Sequence, residues 1–329
     1  MAMLTVGKVR GLQQISFANG VFAMAAIDHR QSLQKMIDPA NPAAVGYDTM
    51  VEIKKELVAI LGPWASAVLL DPIYGAAPAI AGAVLPRAAG LLVSAEASGY
   101  SGESDARVTE ILPDWGVDKV KRMGASAVKL LVYYRREAAG VAAQQLAVVR
   151  RVAEDCLRHD IPAVVEAVSY PVAGESSQDL AAHKPRVVVE TAEDLTPLPM
   201  DVFKAEFPAD MRLESDEGRL LACCRELDAA CRVPWVLLSA GVNFDQFLRQ
   251  VAIACRAGAS GFLGGRAIWQ EGVAIRDAAA RIHFFETVGA DRMRGLADLA
   301  GSHARPWYAK LDLPPDRLTL VGEDWYAGY

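Results

Sequence analysis

Histidine and cysteine are both scarce in this sequence. The five histidines, at 29, 159, 183, 283 and 303, are scattered, and no two stand at metal-ligand spacing, which argues against a catalytic zinc ion. The five cysteines, at 156, 223, 224, 231 and 255, are odd in number and form no Cys-x-x-Cys pair. They read as small buried hydrophobes in a reducing compartment. A basic excess is also missing: 34 Lys and Arg against 40 Asp and Glu give a net charge of −6. That leaves no footprint for nucleic acid, although a local cationic pocket could hold a small anion. No run of about 18 apolar residues is free of charge, and the amino terminus has no long apolar segment behind a basic start, so a cytoplasmic protein without membrane contact is expected. No internal repeat and no Ser/Pro/Gly-rich linker divides the chain, which favours one domain.

What is present is a repeating pattern. With 52% hydrophobic and 22% charged residues the chain is globular, and its 329 residues suit an α/β barrel of about 250 residues with additions. Short Val/Ile/Leu/Ala runs recur at 22–28, 66–71, 90–96, 126–134, 162–170, 201–207, 234–240 and 260–265. Amphipathic stretches at 142–160, 216–232 and 243–258 have apolar residues at three- and four-residue spacing. Parallel strands alternating with helices predict a (β/α)8 TIM barrel over 1–303. Two segments fall outside the repeat. Residues 171–199 read as a polar connection covering the barrel mouth, and the tail 304–329, with two Trp and three Tyr, is expected to pack on the barrel or on a partner subunit of a homo-oligomer.

Chemistry in such a barrel collects at the carboxyl ends of the strands. Those ends read Asp28-His29-Arg30, Asp71, Glu96, Lys129, Glu166, Lys204 with Glu206, Ser239 and Arg266. Lys129, Glu166 and Lys204 have hydrophobic neighbours on both sides, and a buried unpaired charge costs several kcal/mol. A structural pair of Lys204 with Glu166 or Glu206 would explain one such charge, but two lysines and at least two carboxylates converge on strands 4 to 6. A second ammonium and desolvation both favour a neutral lysine, the form that attacks a carbonyl. The expected chemistry is a Schiff base on Lys204, with Glu166 moving the proton on the hydroxyl across the bond to be broken. The turns "LLSAGV" and "FLGGRAIW" place small residues where backbone N–H groups can approach an anion, and Arg266 adds a bidentate cation. A phosphorylated sugar is the expected substrate.

The segments "AAIDHRQSL", "ASAVLLDPIYG", "ASAVKLLVYYR", "VVEAVSY", "VFKAEFPAD", "PWVLLSAGV" and "GFLGGRAIW" together resemble, in collinear order from about 20 to about 300, the class I tagatose-1,6-bisphosphate aldolase family. That family includes the 6-deoxy-6-sulfofructose-1-phosphate aldolases of sulfoglycolysis. The resemblance implies a metal-independent, cofactor-free lyase that cleaves a ketose 1-phosphate to dihydroxyacetone phosphate and an aldehyde. It puts the Schiff base on Lys204 and the acid/base role on Glu166, with Asp28 and Lys129 holding substrate hydroxyls, and Ser239, Gly241, Gly265 and Arg266 holding the phosphate. The chain departs from the family at His29, where glutamine is usual, and at Ile73, where the tagatose enzymes have an acidic residue.

An anion at the other end of the substrate needs donors too. His29, Arg30 and Gln31 are the expected ones, with Arg87 and Arg136 as further candidates. A His29 that is partly cationic near its ordinary pKa of about 6.5 would widen tolerance in the aldehyde half. The rival readings are another Schiff-base lyase of the same fold, acting on a deoxysugar phosphate or a keto acid, and a non-catalytic sugar-phosphate sensor.

Overall fold

The computed structural model describes residues 4–319 and 321–329. Each apolar run is a strand: β1 Phe22–Ile27, β2 Ala67–Leu70, β3 Gly90–Ser94, β4 Ala127–Tyr133, β5 Ala163–Val168, β6 Val202–Ala205, β7 Trp235–Leu238 and β8 Gly261–Gly264. All pair in parallel in the order of the chain, and β8 closes on β1 with Phe22 opposite Gly261. The α-helices are α1 Val6–Ile15, α2 Gln31–Ile37, α3 Tyr47–Leu61, α4 Ala76–Ala81, α5 Val117–Arg122, α6 Ala139–Arg158 and α7 Ser177–Leu195, followed by α8 Glu217–Ala230, α9 Phe244–Ala257, α10 Arg266–Val273, α11 Ala278–Phe284, α12 Ala290–His303 and α13 Trp307–Lys310. The predicted TIM barrel is the observed fold.

The strands are buried on both faces because one face packs on helices and the other fills the barrel. Alternation along β1 makes this visible: Ala23, Ala25 and Ile27 join the layer beneath the helices, while Phe22, Met24 and Ala26 point inward with Leu69, Leu92, Val164, Val202, Val236 and Leu263. Closure demands one glycine in particular. Gly261 has φ +132°, and a Cβ there would lie 1.8 Å from the carbonyl oxygen of Phe22.

Residues 171–199 correct the expectation of a mouth-covering connection. Most of the segment is α7, the ordinary crossover helix between β5 and β6. Its amino-terminal half is polar and interrupted by Pro185, and its buried residues, Val187, Val188, Thr191, Ala192 and Leu195, all lie in the second half, so the apolar period is too short to recognise. Its start is nonetheless well defined, by a capping box in which Ser176 Oγ accepts from the Asp179 N–H and the Asp179 carboxylate accepts from the Ser176 N–H. Lys184 on this helix does reach the mouth.

The amino-terminal end of the barrel is plugged. Val9, Leu12 and Ile15 of α1 meet Trp307 and Leu318 of the tail beneath the inward-facing layer. Asp160, just after α6, caps α1 by accepting from the N–H groups of Gly7 (2.8 Å) and Lys8 (3.2 Å). Lys8 and Asp201 form a buried pair at 2.9 Å, and Asp201 also accepts from the Ala163 N–H at 2.8 Å, so neither charge is left unsatisfied. The tail is thus divided. Trp307 is 1% exposed and its backbone N–H donates to the Gly20 carbonyl, whereas Trp325, Tyr326 and Tyr329 lie on the surface. Among the described residues no helix is long and apolar enough to cross a membrane.

Replacing Trp307 by Ala should therefore open a cavity under the barrel and cost about 3–5 kcal/mol. Urea unfolding measures it, and a loss below about 1 kcal/mol would mean that the plug contributes little to stability.

Candidate active site

At the opposite end the strands surround a cavity of about 440 Å³. Its lining follows the two-residue strand period: Ala26 and Asp28 from β1 and its end, Lys129, Leu131 and Tyr133 from β4, Glu166 and Val168 from β5, Lys204 and Glu206 from β6 and its end, and Leu263 and Gly265 from β8 and its end. One face of each strand supplies apolar filling at the bottom and polar groups at the top, with no change of direction between them.

Lys129 is at the centre of the polar groups. Its Nζ donates to Asp28 Oδ2 at 2.8 Å and Glu96 Oε1 at 2.6 Å, and stands 3.0 Å from Glu166 Oε2. Lys204 lies directly across from Glu166 in the β5–β6 register, and its Nζ is 2.9 Å from the same Glu166 Oε2. Among the described residues Glu166 is the one carboxylate in ion-pair contact with Lys204. The pairing of Lys204 with Glu206, considered from the sequence, is not formed. Glu206 instead accepts from the Ser169 N–H and from Lys184 Nζ, both at 2.9 Å.

Burial alone would raise the carboxyl of Asp28, but Lys129, His29 and Lys204 together outweigh it and hold Asp28 well below the usual carboxylate range. Glu166 is lowered in the same way, with Lys129 and Lys204 overcoming the effect of burial. Burial would lower Lys129, yet Asp28, Glu166 and Glu96 hold it well above its ordinary value. Lys129 is a fixed ammonium with its donors taken, and Glu166 is a carboxylate between two lysines. The Tyr133 hydroxyl is pushed up, chiefly by burial, and stays protonated.

Ser239, Ala240, Gly265 and Arg266 line the far wall, and Ser239 Oγ accepts from the Gly265 N–H at 3.3 Å. The Arg266 guanidinium opens α10 and has no hydrogen-bond or carboxylate partner within the chain, among the described residues. Gly241 does not line the cavity. It lies behind the arginine with φ +76°, and a Cβ there would be 2.9 Å from Arg266 Cζ.

The expected positive charge on His29 is overturned. Burial pushes its pKa down to about 3, with Asp28 opposing and Arg266 assisting, so the ring is neutral at pH 7. It is seated edge-on to Trp269 with centroids 5.0 Å apart, and its Nδ1 is buried without a partner. The ring also abuts Gly265, on the Arg266 side of the cavity rather than the distal side.

Arg30 donates to the Glu96 carbonyl at 2.7 Å, and its buried Nη1 has no partner. Gln31 lines the cavity at the start of α2. The two further arginines are not brought in. Arg87 is exposed on the connection entering β3, at the opposite end of the barrel, and Arg136 is paired with Glu190, Glu193 and Asp194 of α7. Asp71 is held beneath the site by Lys54, whose ammonium also donates to the Ile27 carbonyl at 2.6 Å. Glu96, read from the sequence as a polar strand end but given no role, and Tyr133, not named there, both line the cavity. Tyr133 shares strand parity with Lys129, a signal that could have found it. Among the described residues no cluster of His, Cys, Asp or Glu is arranged for a metal ion.

Comparison with known proteins gives the family. The tagatose 1,6-diphosphate aldolase 2 of Enterococcus faecalis is 32% identical over 333 residues, covering 95% of this chain and 99% of that one. The tagatose 1,6-diphosphate aldolase of Listeria monocytogenes is 32% identical over 334 residues, covering 94% and 96%. The crystal structure of an archaeal fructose 1,6-bisphosphate aldolase shares the fold, with a TM-score of 0.60 at 21% identity over 89% of this chain and 99% of that one. The DeoC/LacD family of aldolases is matched over residues 22–271, and with most of the barrel inside that match, the chain belongs to this family.

Proposed function

We propose that this aldolase is a class I enzyme that cleaves a ketose 1-phosphate to dihydroxyacetone phosphate and an aldehyde, with Lys204 as the Schiff-base lysine. The observation that carries the reading is the inequality of the two lysines around Glu166. Lys129 is saturated by three carboxylates, while Lys204 meets Glu166 alone and faces the cavity. A lysine that must release a proton and attack a carbonyl is better served by one carboxylate than by three.

The Lys204 amine adds to the C2 carbonyl of the ketose, and loss of water leaves an iminium. Glu166, held as the carboxylate, removes the proton from the C4 hydroxyl. The C3–C4 bond then breaks as its electron pair moves toward the iminium, giving an enamine and the free aldehyde. Return of the proton to C3 and addition of water release dihydroxyacetone phosphate and restore Lys204. Asp28 is suited to accept from the hydroxyls on C3 and C4, because it is a buried carboxylate with Lys129 holding it in place; a substrate hydroxyl reaches Lys129 only by displacing one of its carboxylates. The 1-phosphate is assigned to Ser239, the Gly265 backbone and Arg266, with the neutral His29 ring beside them. Gly241 supports this wall by leaving room for the guanidinium. The relatives' names favour a 1,6-bisphosphate, and a 6-sulfonate is the second candidate for that end.

Borohydride added with dihydroxyacetone phosphate should fix mass on Lys204, read by peptide mass spectrometry. Label on Lys129 would reverse the two assignments. Glu166→Gln should slow cleavage by about 10²–10⁴-fold, the usual worth of general acid–base catalysis, while borohydride trapping persists in part; near-normal turnover would move the proton transfer to another group. For His29 the sign is that a depressed pKa keeps the ring neutral as pH falls. Its imidazole proton resonances, assigned by difference from His29→Gln, should show no titration between about pH 8 and 5, given an ordinary value of about 6.5. A midpoint near that value would restore the cationic side chain.

A further inference from the structure

Between β3 and α5 the chain forms a flap whose arms are joined by antiparallel bridges Glu96–Ile111 and Ser101–Val108. The outgoing arm contributes Ser98 and Gly99 to the cavity. The returning arm carries Arg107, whose Cζ lies 4.7 Å from the ring centroid of Tyr100, 5.2 Å from that of Tyr170 and 5.6 Å from that of Tyr133. Tyr133 itself lines the cavity. Arg107 Nε donates to the Ser104 carbonyl at 2.8 Å, and no carboxylate pairs with the guanidinium among the described residues. The rings hold the guanidinium by cation–π contact, and its terminal N–H groups make no hydrogen bond within the chain among the described residues, which leaves them able to grip an anion. Three rings also fix its position before anything binds.

Two unpaired guanidinium groups thus lie on different sides of the mouth, Arg266 after β8 and Arg107 after β3, with Lys204, Glu166 and Lys129 in the cavity between. We propose that Arg107 is a specificity-determining residue that receives the terminal phosphate or sulfonate on the aldehyde half of the substrate. The assignment rests on the aldolase reaction described above. Arg107 stands behind the cavity-lining Tyr133 at the edge of the mouth; of the cations in the lining itself, Arg30 is already committed to the Glu96 carbonyl, and Lys35 is an exposed side chain on α2 without such support.

The test compares kcat/KM for fructose 1,6-bisphosphate, 6-deoxy-6-sulfofructose 1-phosphate and fructose 1-phosphate in the wild type, Arg107→Met, Arg107→Lys and Lys35→Met. Arg107→Met should lower the preference for a charged terminus over the neutral one by about 10- to 100-fold, as expected for a lost charge-assisted contact. The loss should appear mainly in KM, with Arg107→Lys intermediate. Loss confined to the bisphosphate or to the sulfonate identifies which anion the site takes. Equal losses on all three substrates would make Arg107 a packing residue of the flap, and a loss of preference in Lys35→Met instead would give the site to Lys35; either result overturns the proposal. Borohydride trapping on the wild type separately tests the Schiff base, since an unlabelled Lys204 would end that reading while the substrate ratios still decide Arg107.

Discussion

The site is organised around the Lys129 ammonium. It draws together carboxylates that the chain carries at the end of β1, after β3 and on β5, and in doing so it fixes three strands against β4 at the level of the cavity floor. Burying one of these charges alone would cost several kcal/mol, so each is tolerable only because the others are present. That mutual dependence leaves Glu166 ionised and holds it in reach of a second lysine. The proposed chemistry needs a carboxylate ready to take a proton, and the lysine that supplies the field is itself unable to react.

The two ends of the barrel have different work. At the amino-terminal end the interior is dry and continuous with α1 and Trp307, and the charges there, Lys8 with Asp201, are fully paired. At the carboxyl end the same inward strand faces carry lysine and glutamate, and several polar groups are left without partners, including Arg30 Nη1 and His29 Nδ1. Unsatisfied buried donors are costly in a stability sense. Arg30 and His29 both line the cavity, where a ligand could complete their hydrogen bonding. Supporting pairs such as Lys54–Asp71 lie just outside that zone and hold the ends of β1 and β2 in place.

The rim of the barrel is built by means that do not depend on strand geometry. The flap after β3, the capped start of α7 with Lys184, and the turn after β7 come from connections of unequal length, and each presents side chains to the mouth from a separate direction. Loops can vary without disturbing the barrel beneath them, so the proposed reading puts substrate choice in the rim and proton transfer in the floor.

The sequence alone determined the strands and the inward lysines. Strands buried on both faces must be continuous runs of Val, Ile, Leu and Ala, and a lysine inside such a run has no route to solvent except along the barrel axis, so Lys129 and Lys204 were legible as site residues. Family-like motifs in the same order reinforced that reading. Other features needed the tertiary structure. Residues 171–199 hid a helix because its buried face spans only its second half. Glu206 stands two residues from Lys204, yet it turns to Ser169 and Lys184, since side-chain direction depends on neighbouring strands and helices rather than on spacing. His29 lost its charge through burial beside Arg266 and Trp269, groups far away in the chain. Arg107 acquired its cage from Tyr100, Tyr133 and Tyr170, on three separate segments. Local periodicity fixes which face of an element is buried; only closure of the barrel decides which charges meet, because those contacts join residues as distant as Asp28 and Lys129, 101 positions apart.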